Sequence, residues 1–79
     1  MMNPVTVFRR SHSLSRAAFA RGLGLGYWDV RDVEEGRPAS LPRAFARALA
    51  AHGLPVDEVE ALDAAYRRWR LSGSPLDLS

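Results

Sequence analysis

Apolar residues recur along this 79-residue chain at offsets of three and four, and no window alternates apolar with polar residues long enough for a half-buried strand. The spacing and its stop signals predict five short helices. Asn3-Pro4 reads as an N-cap and first helical position, because the proline ring presets φ where its missing N–H is not needed. The first helix then runs to about Arg10, with Val5 and Phe8 on one face, and Ser11-His12-Ser13 breaks it. Ser15 caps a second helix whose inner face is Phe19, Ala20 and Leu23, and Gly24 ends it in the left-handed conformation. Gly26 caps a third helix with Val30 and Val33 inward. Gly36, Pro38 and Ser40 make the next turn. A fourth helix starts near Leu41, carries Pro42 in its first turn, buries Phe45, Ala48 and Leu49, and stops at Gly53. Asp57-Glu58-Val59-Glu60 resembles a capping box. The fifth helix, near 57–71, puts Val59, Leu62, Tyr66 and Trp69 on one stripe, and 72–79 form a tail. The short connections predict an all-α bundle, one domain over 1–79.

Composition narrows the function classes. A chain of 8.7 kDa buries only about 60% of its extended surface, so its stability invites a partner copy. There is no cysteine, which excludes disulfides, thiolate nucleophiles and cysteine-ligated zinc. His12 and His52 are too few for a typical zinc site and read as a loop residue and a helix-end residue. Gly22-Leu-Gly24-Leu-Gly26 fails the dinucleotide spacing, since position 27 is tyrosine and no strand precedes it. Nothing has the spacing of a catalytic triad. The expectation is no enzyme, no metal and no cofactor. No apolar run approaches the roughly 18 residues of a membrane helix, and the first residues lack a secretory signal's apolar stretch, so a cytoplasmic protein without membrane contact is expected.

Charge is unevenly placed. All eleven basic residues are arginine; residues 1–47 carry eight against four acids, and 48–79 carry three against five. A basic front half suits an anionic partner. Within it, Leu14 to Gly36 places two helices of about eight residues around a tight glycine turn, with small Ala20 where a crossing helix needs close approach and Leu25 filling the turn. That is the pattern of a helix-turn-helix over 15–35, whose second helix fits a major groove about 12 Å wide.

The same residues resemble the XRE/Cro-type, phage-repressor-like helix-turn-helix family, closely from Phe8 to Gly36 and more loosely to Val59. The matching positions are Phe8-Arg9, Leu14-Ser15, Phe19-Ala20, Leu23-Gly24-Leu25, Val30, Val33-Glu34 and Gly36. The chain departs from the pattern at Arg16, where the family has glutamine, at Gly22 late in the second helix, and at Pro38, displaced from its usual place. The resemblance implies a five-helix bundle of the phage-repressor type and a structural ion pair between Arg9 and Glu34. It also implies a transcriptional regulator: a small homodimeric repressor that reads a short palindromic operator in double-stranded DNA through the third helix. Its reading positions fall on Tyr27, Trp28 and Asp32, with Arg31 beside them. Arg16, Arg31, Arg37 and Arg43 would supply groove-facing charge.

Two further expectations follow. Leu62, Tyr66 and Trp69 would form a dimer seam along the fifth helix, flanked by Arg67, Arg68 and Arg70 meeting Asp57, Glu58 or Asp63 of the mate. Residues 27–35 hold one arginine and four acids, a local balance of −3. Asp29 at the helix start, Glu34 assigned to Arg9 and an Arg31–Glu35 pair account for part of it. The same acidity supports a second reading, a protein-interaction module of antitoxin-like or polymerase-directed type that offers Tyr27 and Trp28 to a protein partner.

Overall fold

The computed structural model describes residues 2–73, and the tail expected over 72–79 lies outside them from residue 74 on. Among the described residues there are five helices and no strand: α1 (Pro4–Ser11), α2 (Arg16–Leu23), α3 (Tyr27–Glu34), α4 (Arg43–Ala51) and α5 (Val56–Gly73). Local chemistry sets most of their ends. Asn3 Oδ1 accepts the Val5 N–H at 2.8 Å and caps α1, while its Nδ2 donates to the carbonyls of Val33 and Glu34 at 2.9 and 3.0 Å. One buried side chain thus starts α1 and satisfies the end of α3. Ser15 Oγ accepts the Ala18 N–H at 3.1 Å, which caps α2. Gly24, at φ 71°, ends α2, and the Leu25 N–H folds back to the Ala20 carbonyl at 2.9 Å.

Gly22 is inside α2, and a methyl group built on it meets no atom within 4 Å. Gly22→Ala is therefore expected to stabilise the fold by about 1 kcal/mol through backbone entropy alone. Thermal denaturation checks this, with a rise of roughly 4–8 °C.

Two helix starts differ from the sequence reading. Pro42 is extended at ψ 148°, and α4 begins at Arg43 rather than near Leu41. Proline pushes its predecessor out of the helical region; Leu41 instead drops into the core, its N–H donating to Asp63 Oδ1 at 2.9 Å. Helix α5 begins at Val56, so Asp57 and Glu58 lie inside the first turn, where carboxylates suit the exposed N–H groups, and the capping box is not formed.

The core is one cluster. It joins Val5 of α1, Phe19 and Ala20 of α2, Val30 and Val33 of α3, Leu41 on the loop before α4, Phe45 and Leu49 of α4, and Val59, Tyr66 and Trp69 of α5. The rings of Phe19 and Phe45 pack edge to face at 6.2 Å. Helix α2 lies on α3, and both α1 and α4 lie on α5.

This placement corrects the seam expected on α5. Tyr66 is 0% exposed and Trp69 4%, their rings 5.8 Å apart inside the fold. The Tyr66 hydroxyl donates to the Pro38 carbonyl at 2.7 Å. Arg70 donates to the carbonyls of Gly36 and Arg37 at 2.6 and 3.1 Å, and Arg67 pairs with Asp63 of its own chain at 3.0 Å. A chain this small needs that stripe to close its own core. Of the three seam residues only Leu62 stays half-buried, in a hollow with Phe8, Leu54, Glu58 and Ala61. Residues of α5 thereby hold the loop that follows α3.

Candidate nucleic-acid interface

The turn Gly24–Gly26 carries the chain from α2 into α3. On α3 the inward positions are Val30, Val33 and Glu34. Tyr27 and Trp28 in the first turn point outward, 41% and 63% exposed, with rings perpendicular at 5.4 Å. Asp29 stands at the third helical position, its carboxylate turned back so that Oδ2 lies 3.1 Å from where a Cβ on Gly26 would sit. This explains why a glycine suits the start of α3.

Arg31 is held from both sides. Its Cζ lies 4.8 Å from the centre of the Trp28 ring, and its Nε donates to Glu35 Oε2 at 2.9 Å. Gly36 takes φ 79°, and the chain then folds back so that the Arg37 N–H reaches the Asp32 carbonyl at 3.0 Å. That return places the Arg37 side chain over the last turn of α3. Its guanidinium donates to Glu35 Oε1 at 3.2 Å and approaches Asp32 Oδ1 at 3.4 Å. The hydrogen bond from Arg31 does most to lower the Glu35 carboxyl below its ordinary value; burial opposes it, and Arg37 adds a lesser pull in the same direction as Arg31.

Beneath this face lies a second cluster. The Glu34 side chain is 1% exposed. Arg9 donates to it twice, Nε to Oε2 at 2.7 Å and Nη2 to Oε1 at 3.1 Å, so the Arg9–Glu34 ion pair joins α1 to α3. Thr6 Oγ1 donates to Oε1 at 3.1 Å. Arg16 adds a looser contact at 3.3 Å and lies 5.9 Å from the Tyr27 ring centre. Arg16 is thus turned toward the protein, at once against the buried carboxylate and against an exposed aromatic.

The residues expected to contact DNA divide accordingly. Tyr27, Trp28, Arg31 and Asp32 share the outer surface of α3, and Arg37 folds back onto its end. Arg43 opens α4, exposed and without an ion-pair partner among the described residues. Leu25 and Asp29 line a hollow with Pro42, Ala44 and Phe45, so the start of α4 lies beside the start of α3. The i,i+4 spacing pairs Arg31 with Glu35 in sequence but does not give the second hold on Glu35 by Arg37. The available signal was Gly36, which turns the following residue back over the helix.

The local balance of −3 along 27–35 does not survive in space. Arg9, Arg16, Arg31 and Arg37 meet three of the four acids of this segment, Asp32, Glu34 and Glu35. The fourth, Asp29, sits at the positive end of the α3 dipole. Comparison with known proteins gives no match: no family model, no curated protein and no solved structure is similar to this chain.

Proposed function

We propose that the chain is a sequence-specific double-stranded DNA-binding protein of the phage-repressor helix-turn-helix type, with α3 as the reading helix. The observation that carries this reading is the outward Tyr27-Trp28-Arg31 surface on a short helix whose other side is fixed in the core. An α-helix with its side chains is about 10–12 Å across, which suits a major groove about 12 Å wide. Trp28 and Tyr27 offer apolar edges to thymine methyl groups or sugars, and Arg31 offers guanidinium N–H groups to guanine. Exposed Arg43 would meet phosphate, and Arg16 would reach it by leaving its loose contact with Glu34, which Arg9 still satisfies. One such helix reads a half-site, so a palindromic operator and repression by occupancy call for two copies with reading helices about 34 Å apart.

Selection from a random duplex pool tests the reading. The expected result is a recovered palindrome, retained less as salt rises. No retention even at low salt would overturn it. Trp28→Ala is expected to lose preference for the recovered site, by about tenfold or more, while keeping its helical content. A mutant that selects the same site equally tightly removes Trp28 from the reading surface.

The exposed Tyr27–Trp28 pair also favours a second reading, a protein-interaction module, since such rings are frequent binding hot spots. Absence of duplex retention together with capture of a single protein partner lost on Trp28→Ala would decide for it.

A further inference from the structure

We propose that Glu35 sets how well the α3 surface discriminates between DNA sequences, by holding Arg31 and Arg37 away from phosphate on duplexes that lack the right bases. The proposal rests on the DNA-binding reading and extends it to a residue assigned no role there.

Glu35 is the residue that closes α3, at the negative end of the helix dipole. A carboxylate is disfavoured at that end, so helix stability does not call for one. Both of its oxygens are nevertheless occupied, Oε2 by Arg31 at 2.9 Å and Oε1 by Arg37 at 3.2 Å. Trp28 covers the other side of Arg31 with its ring. Two of the four arginines expected to meet DNA are therefore tied to one carboxylate.

The consequence concerns non-specific binding. Non-specific affinity comes almost wholly from guanidinium and ammonium groups that neutralise phosphates and release counterions. A guanidinium held by Glu35 contributes only after it has left, and the bared carboxylate then faces the phosphates. On a correct site, base-edge contacts of Tyr27, Trp28 and Arg31 offset that loss. On a wrong site nothing does. The carboxylate thus lowers non-specific more than specific binding, which raises the ratio that matters among many competing sites.

Glu35→Gln keeps the shape and removes the charge. Arg31 then loses its only ion pair among the described residues, whereas Arg37 keeps Asp32. One further phosphate contact is expected. It steepens the salt slope by about 0.9 and tightens a non-specific duplex on the order of tenfold near 0.1 M salt.

The test measures wild type, Glu35→Gln and the double mutant Arg31→Gln/Glu35→Gln against the selected operator and a scrambled duplex of equal length, across a range of salt. The expected result is a scrambled-duplex affinity raised about tenfold by Glu35→Gln, a smaller change on the operator, and reversal in the double mutant. Wild type that binds the operator while Glu35→Gln changes neither duplex overturns the proposal and leaves the reading intact. Loss of operator binding in Glu35→Gln, at unchanged helical content, overturns it too, since the residue would then build the surface rather than restrain it. No duplex retained by any of the three proteins at low salt overturns the DNA-binding reading itself.

Discussion

Glu34→Ala is expected to destabilise the fold by about 3 kcal/mol and to lower the melting temperature by roughly 12–24 °C. The carboxylate is almost fully buried and accepts from Thr6, Arg9 and Arg16. Removing it leaves two guanidinium groups facing each other across a gap. Arg9 is the more committed, with 11% of its side chain exposed and Nη1 also donating to the Leu14 carbonyl at 2.8 Å. Arg16 is 31% exposed and resolvates easily, which keeps the expected cost at the lower end of the range for a broken buried pair. The intact pair need not contribute net stability, because both charges were withdrawn from water to make it. The same logic predicts that Arg9→Met/Glu34→Leu costs less than the sum of the single changes, with a coupling of about 1–3 kcal/mol. Chemical denaturation of the four proteins gives that coupling directly. A cycle that sums to zero would mean that the pair does not tie α1 to α3.

The sequence made much of this arrangement legible because the signals that end helices are short-range. Asn3, Ser15 and Gly24 act on backbone groups within five residues: the first two start α1 and α2 and the third ends α2, each where local reasoning places it. Pro42 also acts locally, but one position off the expected one: it is extended and stands at the N-cap of α4 rather than in its first turn. What local reasoning loses is the identity of the covering surface. Periodicity puts Val59, Leu62, Tyr66 and Trp69 on one apolar stripe; it does not say whether a second copy or the chain's own loop lies against them. The charge on α3 has the same character. On periodicity alone Glu34 sits unpaired in a run of acids; Arg9, 25 positions away, is tied to it only through the family resemblance, and Arg16, 18 positions away, is brought to it only by packing. Asn3 shows both sides in one residue, its cap on α1 readable from Pro4 and its hold on α3 visible only in three dimensions.

Tyr66→Ala is expected to destabilise the chain by about 3–5 kcal/mol, a large fraction of the whole stability of a domain this small. The ring is fully buried against Trp69, and its hydroxyl satisfies the Pro38 carbonyl. Tyr66→Phe keeps the ring and loses only that hydrogen bond, so about 1 kcal/mol is expected. Burial also pushes the Tyr66 hydroxyl above its ordinary value, with a smaller opposing pull from Arg70. The folded state therefore favours the neutral phenol. Its contribution is complete below about pH 10, where the unfolded chain's tyrosine begins to ionise, and is lost as pH rises through the higher folded value. Tyr66→Phe removes that alkaline loss. Protein concentration separates a core residue from a seam residue. If Tyr66 closes the core, Tyr66→Ala lowers the melting temperature by the same amount at every concentration over a hundredfold range. If it joined two copies, the mutant would melt like wild type at high dilution and differ only where the dimer forms. A folded Tyr66→Ala monomer with wild-type stability would contradict the packing of α5 against the loop after α3, and with it the fixed placement of α3.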